Sequence, residues 1–418
     1  MKGRTLVESI LSEKIGREVE VGEIIKVNVD VLMVNEVTGP LAFETFEKIG
    51  GGEVWNPDST VLVLDHDIPP SDIKSARMIK RMREFAYKYS IKNFYEIGRG
   101  GICHQILYEE GFNIPGHIIV GADSHTCTSG ATGALGIGVG STDAGVILAT
   151  GKIWLRVPES IKISVKGEMK KWITPKDIIL TIIGEVGADG ALYKAVEYHG
   201  ETIRKMSLSG RLTICNMSVE MGAKTGIIPP DEKAIKYAEK QGYRVSSMDL
   251  KDAKYVEEYE FYADEVEPVV SIHPRVDNVK PARELENIEI DQAVIGSCTN
   301  GRIEDLRIAA EVVKNKKINS RVRLIVTPAS MKVYRKALKE GLLEIFIDAG
   351  GIVTCPTCGV CLGMSHGVLS EGEVAIATTN RNFIGRMGHK DSKVYLASPA
   401  TVAASALTGR ITDPRDVI

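Results

Sequence analysis

Short apolar runs alternate along this chain with longer segments in which apolar and polar residues recur at helical spacing. The clearest runs are STVLVLDH (59–66), HIIVGADS (117–124), DQAVIGSC (291–298) and RVRLIVTPAS (321–330). Their length and β-branched content are typical of buried strands. Strands that alternate with helices indicate α/β layering, so we predict an α/β fold.

The N-terminal stretch MKGRTLVESILSEKIG predicts a capped amphipathic helix. Thr5 and Glu8 form a capping-box pair at its start, and Gly16 suits its end. Charged residues interrupt the apolar ones, so a secretory signal is not expected. No apolar run in the chain approaches the roughly 20 residues that cross a bilayer. We therefore expect no membrane partner.

The pattern of the chain changes twice, which suggests three units. An alternating strand begins after Pro158, and Thr174-Pro175 then opens a helix with proline at its first position. Between about 250 and 285, charged and aromatic sequence gives way to the proline-bearing stretch HPRVDNVKPARELE. The α/β subdomains that we predict span residues 1–160, 161–285 and 286–418.

Composition places the chain among globular proteins and argues against two kinds of partner. Of its 418 residues, 44% are hydrophobic and 26% are charged, and the net charge is −3. This balance recruits neither nucleic acid nor an anionic membrane, so local arginines would have to hold an anionic ligand. The 7 cysteines, an odd number in so long a chain, favour a reducing compartment over a disulfide framework. We expect a cytoplasmic protein.

Cysteines supply the strongest chemical signal. Cys355, Cys358 and Cys361 recur in TCPTCGVC, just after IDAGGIV, which we predict to be a strand. Cys298 follows the apolar run AVIG. Both segments are thus expected at the carboxyl ends of strands, where open α/β sheets bind ligands. From spacing alone an iron-sulfur cluster, an all-thiolate zinc site and the absence of a metal all remain open.

Two other patterns carry less weight. GALGIGVGS (133–141) contains closely spaced glycines but lacks the full spacing and the acidic ribose partner of a dinucleotide-binding fingerprint. Cys103, Cys127 and Cys215 stand among apolar or small residues. We expect these three to be buried thiols and not metal ligands.

Histidines and arginines are the remaining candidates for chemistry. His66, His104 and His125 lie at or near predicted strand ends, beside small and acidic residues. Histidine titrates near neutrality and can therefore move protons. Arg381 and Arg386 in NRNFIGR suit carboxylates, because a planar guanidinium matches a carboxylate in two parallel bonds.

The motifs DSHT, TICNM, SCTN, CGVC and NRNFIGR, taken together and in this order along the chain, resemble the aconitase superfamily. Within it they are most similar to the large subunits of 3-isopropylmalate dehydratases and homoaconitases. The resemblance extends from TLVESIL to VYLASPATVAASALTG. It implies an aconitase-type iron-sulfur unit of three α/β subdomains around a central cluster, without the swivelling fourth domain.

The same resemblance implies the metal ligands. Cys298, Cys358 and Cys361 would hold a [4Fe–4S] cluster in which one iron has no protein ligand and binds the substrate. Cys355 is not at a ligand position. If its thiol nevertheless capped that iron, the cluster would be closed and suited to electron transfer.

Roles for the surrounding residues are implied as well. The catalytic pairs would be Asp65 with His66, Asp123 with His104, and Glu220 with His125. His66 would protonate the departing hydroxyl. The residues expected to bind substrate are Asn35, Ser124, Asn216, Arg381 and Arg386. Asn35 and Glu36 stand where relatives commonly carry His-Asp or Gln-Asp, which leaves the identity of the hydroxy acid open.

The implied function is that of a hydro-lyase/isomerase large subunit, foremost for 2-isopropylmalate to 3-isopropylmalate in leucine biosynthesis. Homoaconitase in lysine biosynthesis and a 2-methylmalate hydratase are the alternatives. A separate small subunit would supply the swivelling domain and the serine that abstracts the proton. The alternative of another class is a non-catalytic cluster protein, either an electron carrier or an iron-sensing RNA binder. The net charge gives no sign of the basic face that RNA binding requires.

Overall fold

The computed structural model describes residues 3–245, 250 and 252–417. In this part of the chain, three sheets follow one another in sequence, and each packs against helices of nearby sequence. The four apolar runs predicted as strands all contain one. The α/β class is therefore confirmed.

The first sheet is parallel throughout. The strands of this segment are β1 (Ile24–Asn28), β2 (Val31–Asn35), β3 (Thr60–Val63), β4 (Asn93–Tyr95), β5 (Ile118–Gly121), β6 (Leu135–Gly138) and β7 (Lys152–Arg156). The sheet has the order β4-β3-β2-β5-β6, and β1 pairs with β7 as a separate antiparallel ribbon. The helices are α1 (Leu6–Ile15), α2 (Gly39–Lys48), α3 (Ile73–Lys88), α4 (Cys103–Glu109) and α5 (Ser141–Thr150).

Helix α1 has the ends that the sequence predicts. The backbone N–H of Thr5 donates to Glu8 at 2.9 Å, and the N–H of Glu8 donates to the Thr5 hydroxyl at 3.4 Å. Gly16 follows the helix with φ 72°, a left-handed conformation that glycine adopts at little cost. The predicted capping box and stop are therefore confirmed.

The second sheet is also parallel, with the order β10-β9-β8-β11. Its strands are β8 (Ser160–Lys166), β9 (Ala195–His199), β10 (Thr225–Ile227) and β11 (Glu257–Tyr262). The helices are α6 (Pro175–Val186), α7 (Glu201–Lys205), α8 (Leu208–Asn216) and α9 (Glu232–Lys240). Proline occupies the first position of α6 behind the capping residue Thr174, as predicted.

The third sheet has the order β13-β12-β18-β17-β14-β15-β16. Its strands are β12 (Val269–Ser271), β13 (Val279–Pro281), β14 (Gln292–Ile295), β15 (Arg323–Val326), β16 (Ile352–Val353), β17 (Val374–Ala377) and β18 (Lys393–Ala397). The helices are α10 (Ser297–Asn300), α11 (Ile303–Val313), α12 (Met331–Lys339), α13 (Leu342–Ala349) and α14 (Pro399–Thr408). The short 3-10 segments of the chain are Ser124–Thr132, Met217–Met221, Ala282–Leu285, Gly359–Leu362 and Pro414–Asp416.

The prediction that IDAGGIV is a strand is wrong for most of that run. Helix α13 continues to Ala349, and only Ile352–Val353 pairs with β15. The buried side chains of α13 recur at helical spacing, at Leu342, Leu343, Phe346 and Ala349. Their burial against the sheet outweighs the local preference for a strand.

The third sheet brings distant parts of the sequence to one edge. Because β14, β15, β16 and β17 are parallel neighbours, their carboxyl ends lie on the same side. Cys298 follows β14, the cysteine loop follows β16, and the NRNFIGR turn follows β17. The topology alone thus gathers the candidate ligands and the candidate arginines.

The subdomain ranges 1–160, 161–285 and 286–418 stay predictions. Strands β12 and β13 precede residue 285 yet belong to the third sheet. Residues 1, 2 and 418, at the outer ends of these ranges, lie outside the described residues. Among the described helices, none combines the length and apolar character needed to span a bilayer.

Thr5→Ala should loosen the first turn of α1, because it removes the hydroxyl that caps the helix. Loss of an N-cap costs about 1 kcal/mol, which corresponds to roughly fivefold faster local opening. Hydrogen exchange of the 3–16 peptide, followed by mass spectrometry, measures this change. Thr5→Ser keeps the hydroxyl and is the matched control. Equal exchange in the two variants would contradict the capping role.

Candidate functional site

A cavity of about 290 Å³ lies between loops that follow strands of the first and third sheets. Most of the predicted site residues line it: Asn35, His66, His104, Asp123, Ser124, His125, Cys298, Cys358, Cys361, Arg381 and Arg386. Three others lie behind the cavity wall. Asp65 contacts His66, Glu220 contacts His125, and Asn216 contacts Cys298. The structure therefore brings all the predicted site residues together, although Asn216 does not reach the cavity as a substrate ligand would.

The three candidate ligand thiols are buried at the cavity wall. Cys298, Cys358 and Cys361 expose 3%, 8% and 1% of their surface. The side-chain amides of Asn216 and Asn380 each donate to the Cys298 sulfur at 3.2 Å. Clustered thiols that receive N–H donors are the donor set of an iron-sulfur site.

Hydrogen bonds among the thiols shift their acidities in opposite directions. Cys358 donates to both neighbours, which lowers the pKa of Cys298 to about 6 and that of Cys361 well below its usual range. The same bonds raise the pKa of Cys358. Both shifts favour the thiolate form of Cys298 and Cys361, which is the form that binds metal. The three residues fit thiolate ligation of an iron-sulfur cluster.

Cys355 does not belong to this group. It is half-buried, does not line the cavity, and its Sγ lies 3.3 Å from the carbonyl oxygen of Ile68. Burial raises the pKa of the Cys355 thiol, which keeps the proton that it donates to this carbonyl. The Cys355 thiol is therefore hydrogen-bonded to the backbone of the loop that contains Ile68.

The other three cysteines are buried, as the sequence predicts. Cys103 nevertheless lines the cavity, and its backbone N–H donates to the Asp65 carboxylate at 2.7 Å. Cys127 lies 3.4 Å from the carbonyl of Asn216, and Cys215 packs in the core of the second sheet.

His66 stands on a loop whose backbone is held by a buried carboxylate. Glu36, with 0% of its surface exposed, accepts the N–H groups of Asp65, His66 and Asp67 at 3.0, 2.6 and 2.8 Å. Asp65 Oδ1 lies 2.7 Å from His66 Nδ1. Burial opposes the charged imidazole, but Asp65, Glu36 and Asp123 outweigh burial and raise the pKa of His66 to about 10. His66 is therefore an imidazolium at neutral pH.

The same loop is fastened to the cysteine loop on its other side. The N–H of Cys358 donates to the carbonyl of Asp65 at 2.6 Å, and the buried hydroxyl of Thr357 donates to the carbonyl of His66 at 2.8 Å. His66 and the thiols are thus joined through a few short backbone contacts.

Asp123 is shared by the three histidines. Its Oδ1 lies 2.9 Å from His104 Nε2 and accepts the backbone N–H of His125 at 2.8 Å, while its Oδ2 lies 3.9 Å from His66 Nε2. Burial alone would raise the pKa of Asp123, but His104 and His125 hold it well below its usual range. Asp123 makes the predicted pair with His104, and it also contacts His125 and lies near His66.

Glu220 links the third histidine to an arginine. Its carboxylate lies 2.8 Å from His125 Nε2 and accepts from Arg381 Nε at 3.0 Å. Burial and Arg381 oppose protonation of His125, yet Asp123 and Glu220 raise its pKa to about 9. Arg386 lies 3.6 Å from the Cys361 sulfur and also lines the cavity.

Asn35 and Glu36, which depart from the family pattern, have two unrelated structural roles. Asn35 lines the cavity, and its side-chain oxygen accepts the N–H groups of Val37 and Thr38 at 3.0 and 3.2 Å. Glu36 does not line the cavity and holds the His66 loop instead. Of these two residues, only Asn35 is therefore placed to bear directly on substrate choice.

Two functional residues were missed in the sequence. Asn380 lines the cavity and contacts the sulfurs of Cys298 and Cys361; its place beside Arg381 in NRNFIGR was the available signal. Lys176 is fully buried and donates to the carbonyls of Thr378 and Thr379 at 2.9 and 2.6 Å. Burial lowers the pKa of Lys176 to about 7. Nothing in its sequence context separates it from an ordinary surface lysine.

Known proteins resemble the chain over its length. The model of the Aconitase family (aconitate hydratase) matches residues 8–282 and 271–409. The 3-isopropylmalate dehydratase large subunit of Thermodesulfovibrio yellowstonii is 52% identical over 99% of this chain and 99% of its own length. Large subunit 1 of the same enzyme is 50% identical in Methanopyrus kandleri, over 99% of both chains, and 51% identical in Pyrococcus furiosus, over 100% of both.

A solved structure agrees in fold. The holo-form crystal structure of aconitase X from Thermococcus kodakaraensis has a TM-score of 0.51 at 13% identity, covering 90% of this chain and 89% of its own. This likeness concerns the path of the backbone. Together with the sequence matches over nearly the whole chain, it establishes that the chain belongs to the aconitase family.

Proposed function

We propose that this chain is the large subunit of a [4Fe–4S]-dependent 3-isopropylmalate dehydratase, which interconverts 2- and 3-isopropylmalate by dehydration and rehydration. The observation that carries the proposal is one cavity in which ligand thiols, charged histidines and arginines converge. Identities of about 50% over the whole length to large subunits of that name support it.

Cys298, Cys358 and Cys361 would hold the cluster, with one iron left without a protein ligand. When bound, the cluster would supply a Lewis-acidic iron for a hydroxyl and a carboxylate of the substrate. The orientation of Cys355 towards the Ile68 carbonyl supports an open fourth corner, because that thiol is engaged elsewhere. The same orientation counts against a closed, electron-carrying cluster.

The charged groups of the cavity suit a 2-hydroxy acid. Arg381 and Arg386 offer guanidinium groups to its carboxylates. His66, held charged by Asp65 and Asp123, can give a proton to the departing hydroxyl. A positioned acid of this kind typically contributes 10²–10⁴-fold to a rate.

Two of the three histidines that line the cavity are unsuited to act as the base. His66 and His125 are already protonated at neutral pH, since their pKa values are raised to about 10 and about 9. Among the described residues that line the cavity, Asp123 is the one carboxylate, and its low pKa makes it a weak base. The resemblance to the aconitase superfamily implies that a serine abstracts the proton, on a small subunit that carries the swivelling domain, and we include that assignment in the proposal.

The test is anaerobic reconstitution of this chain with its small subunit, followed by chromatography of the acids formed. The complex should convert 2-isopropylmalate to 3-isopropylmalate and back, and the cluster-loaded chain alone should show negligible turnover. A loaded complex that leaves 2-isopropylmalate unchanged would contradict the proposal. Preference for homoaconitate or 2-methylmalate would correct the substrate and keep the reaction class.

Cys298→Ser should abolish iron and sulfide binding, whereas Cys355→Ser should leave both unchanged. The first substitution removes a thiolate of the cavity wall, and the second removes a thiol that faces a backbone carbonyl. Iron and sulfide analysis of anaerobically prepared protein measures both. Loss of the cluster in the Cys355 variant would mean that this thiol is a ligand.

His66→Asn should lower kcat by 10²–10⁴-fold while KM and cluster content stay within about twofold of the original complex. The substitution removes the acid but keeps a polar side chain of similar size. His389→Asn, at an exposed histidine outside the cavity, is the matched control. An unchanged kcat in the His66 variant would exclude it as the acid.

A further inference from the structure

An apolar strip crosses the carboxyl edge of the first sheet inside the cavity. Val37, Ala122 and Val139 line the cavity and follow β2, β5 and β6. These strands are adjacent, and the N–H of Ala122 donates to Met33 at 2.9 Å while that of Val139 donates to Gly121 at 2.9 Å. Since neighbouring strands lie about 4.8 Å apart, the strip is about 10 Å long.

The two valines have surface to offer a ligand. Ala122 is 1% exposed and serves as the floor, whereas Val37 and Val139 are only half-buried although they lie on the cavity wall. An apolar side chain gains free energy when a ligand removes its surface from water. The three side chains of the strip are uncharged, which suits an alkyl group of a ligand.

A carboxylate would be poorly placed against this strip. The side chains of Val37, Ala122 and Val139 offer it neither a hydrogen-bond donor nor a charge, and an unpaired charge against an apolar surface is costly. The guanidinium groups of Arg381 and Arg386 line the same cavity, and Arg381 also gives its Nε–H to Glu220.

A basic side chain on the far side of Val139 is turned to the backbone. Lys224 lines a separate cavity that shares Val139 and Ser124 with the first one. Its ammonium donates to the carbonyl of Gly138 at 3.3 Å. Val139 therefore stands between the reaction cavity and this lysine.

We infer that Val37 and Val139 form the surface that receives a branched alkyl group of the substrate, so that this chain itself selects an alkyl-substituted dicarboxylic acid over a tricarboxylic one. The inference rests on the proposed function and deepens it. It adds a determinant on this chain to whatever selection the small subunit exerts.

The experiment uses the cluster-loaded complex with its small subunit and two acids that differ only in their alkyl group, 2-isopropylmalate and 2-methylmalate. Val139→Ala and Val37→Ala should each lower kcat/KM for 2-isopropylmalate by about 10-fold, because each removes two methyl groups from the contact surface. For 2-methylmalate, whose methyl group does not reach them, kcat/KM should change less than twofold. Val368→Ala, at a valine that is 47% exposed and outside the cavity, is the matched control.

Three outcomes are distinguishable. A drop in the ratio of the two kcat/KM values in the valine variants, with normal cluster content and unfolding temperature, supports the inference. An unchanged ratio in a complex that still isomerises 2-isopropylmalate overturns the inference and leaves the proposed function standing. If the unsubstituted complex prefers a tricarboxylic acid, both the inferred role of the two valines and the assigned substrate are wrong.

Discussion

The site depends on how the backbone of residues 65–68 is held between two sheets. Three consecutive N–H groups point into the interior, where each needs an acceptor, and the single carboxylate of Glu36 accepts all three. On the other side, the cysteine loop donates to the carbonyls of Asp65 and His66, and the Cys355 thiol to that of Ile68. This double fastening sets the imidazole of His66 beside the thiols, although 232 positions separate His66 from Cys298.

Charge balance explains why so many ionised groups can share a buried space. Unpaired charges are costly in the interior, so each must face an opposite charge or hydrogen-bond donors. The sulfur of Cys361, whose thiolate form is favoured, faces Arg386, and Glu220 faces both His125 and Arg381. Cys298, which has no arginine partner among these contacts, receives two amide donors. Anions and cations alternate around the cavity, which leaves the arginines oriented for an acidic ligand.

Much of this arrangement was predictable, and the reasons lie in local signals. The apolar runs of the sequence correctly predicted strands β3, β5, β14 and β15. The cysteines and histidines that follow some of these runs could therefore be placed at strand ends. Helix α1 was readable because its cap is local. The resemblance of five motifs to one family implied a ligand set, which spacing alone left open and which stays a prediction.

The remainder depended on contacts that sequence patterns do not encode. IDAGGIV looked like a strand because its helical burial is visible only against the third sheet. Along the sequence, Glu36 stands out only as a departure from the family pattern; its contacts with the backbone of residues 65–67 are visible only in the folded chain. Lys176 gave no signal, since a lysine at the start of a helix is ordinary and only the packing of another sheet buries it.

Lys176 connects helix α6 to the turn that carries Asn380 and Arg381. Helix α6, whose first turn contains Lys176, packs with the second sheet. Lys176 nevertheless donates to the carbonyls of Thr378 and Thr379, which follow β17 of the third sheet. These two residues come directly before the turn. Glu220, also from the middle of the chain, holds Arg381 from the side. The second sheet, none of whose described residues contributes a thiol to the cavity lining, therefore helps to fix the position of this turn. A change in the position of the second sheet would displace the Arg381 guanidinium and the Asn380 amide together.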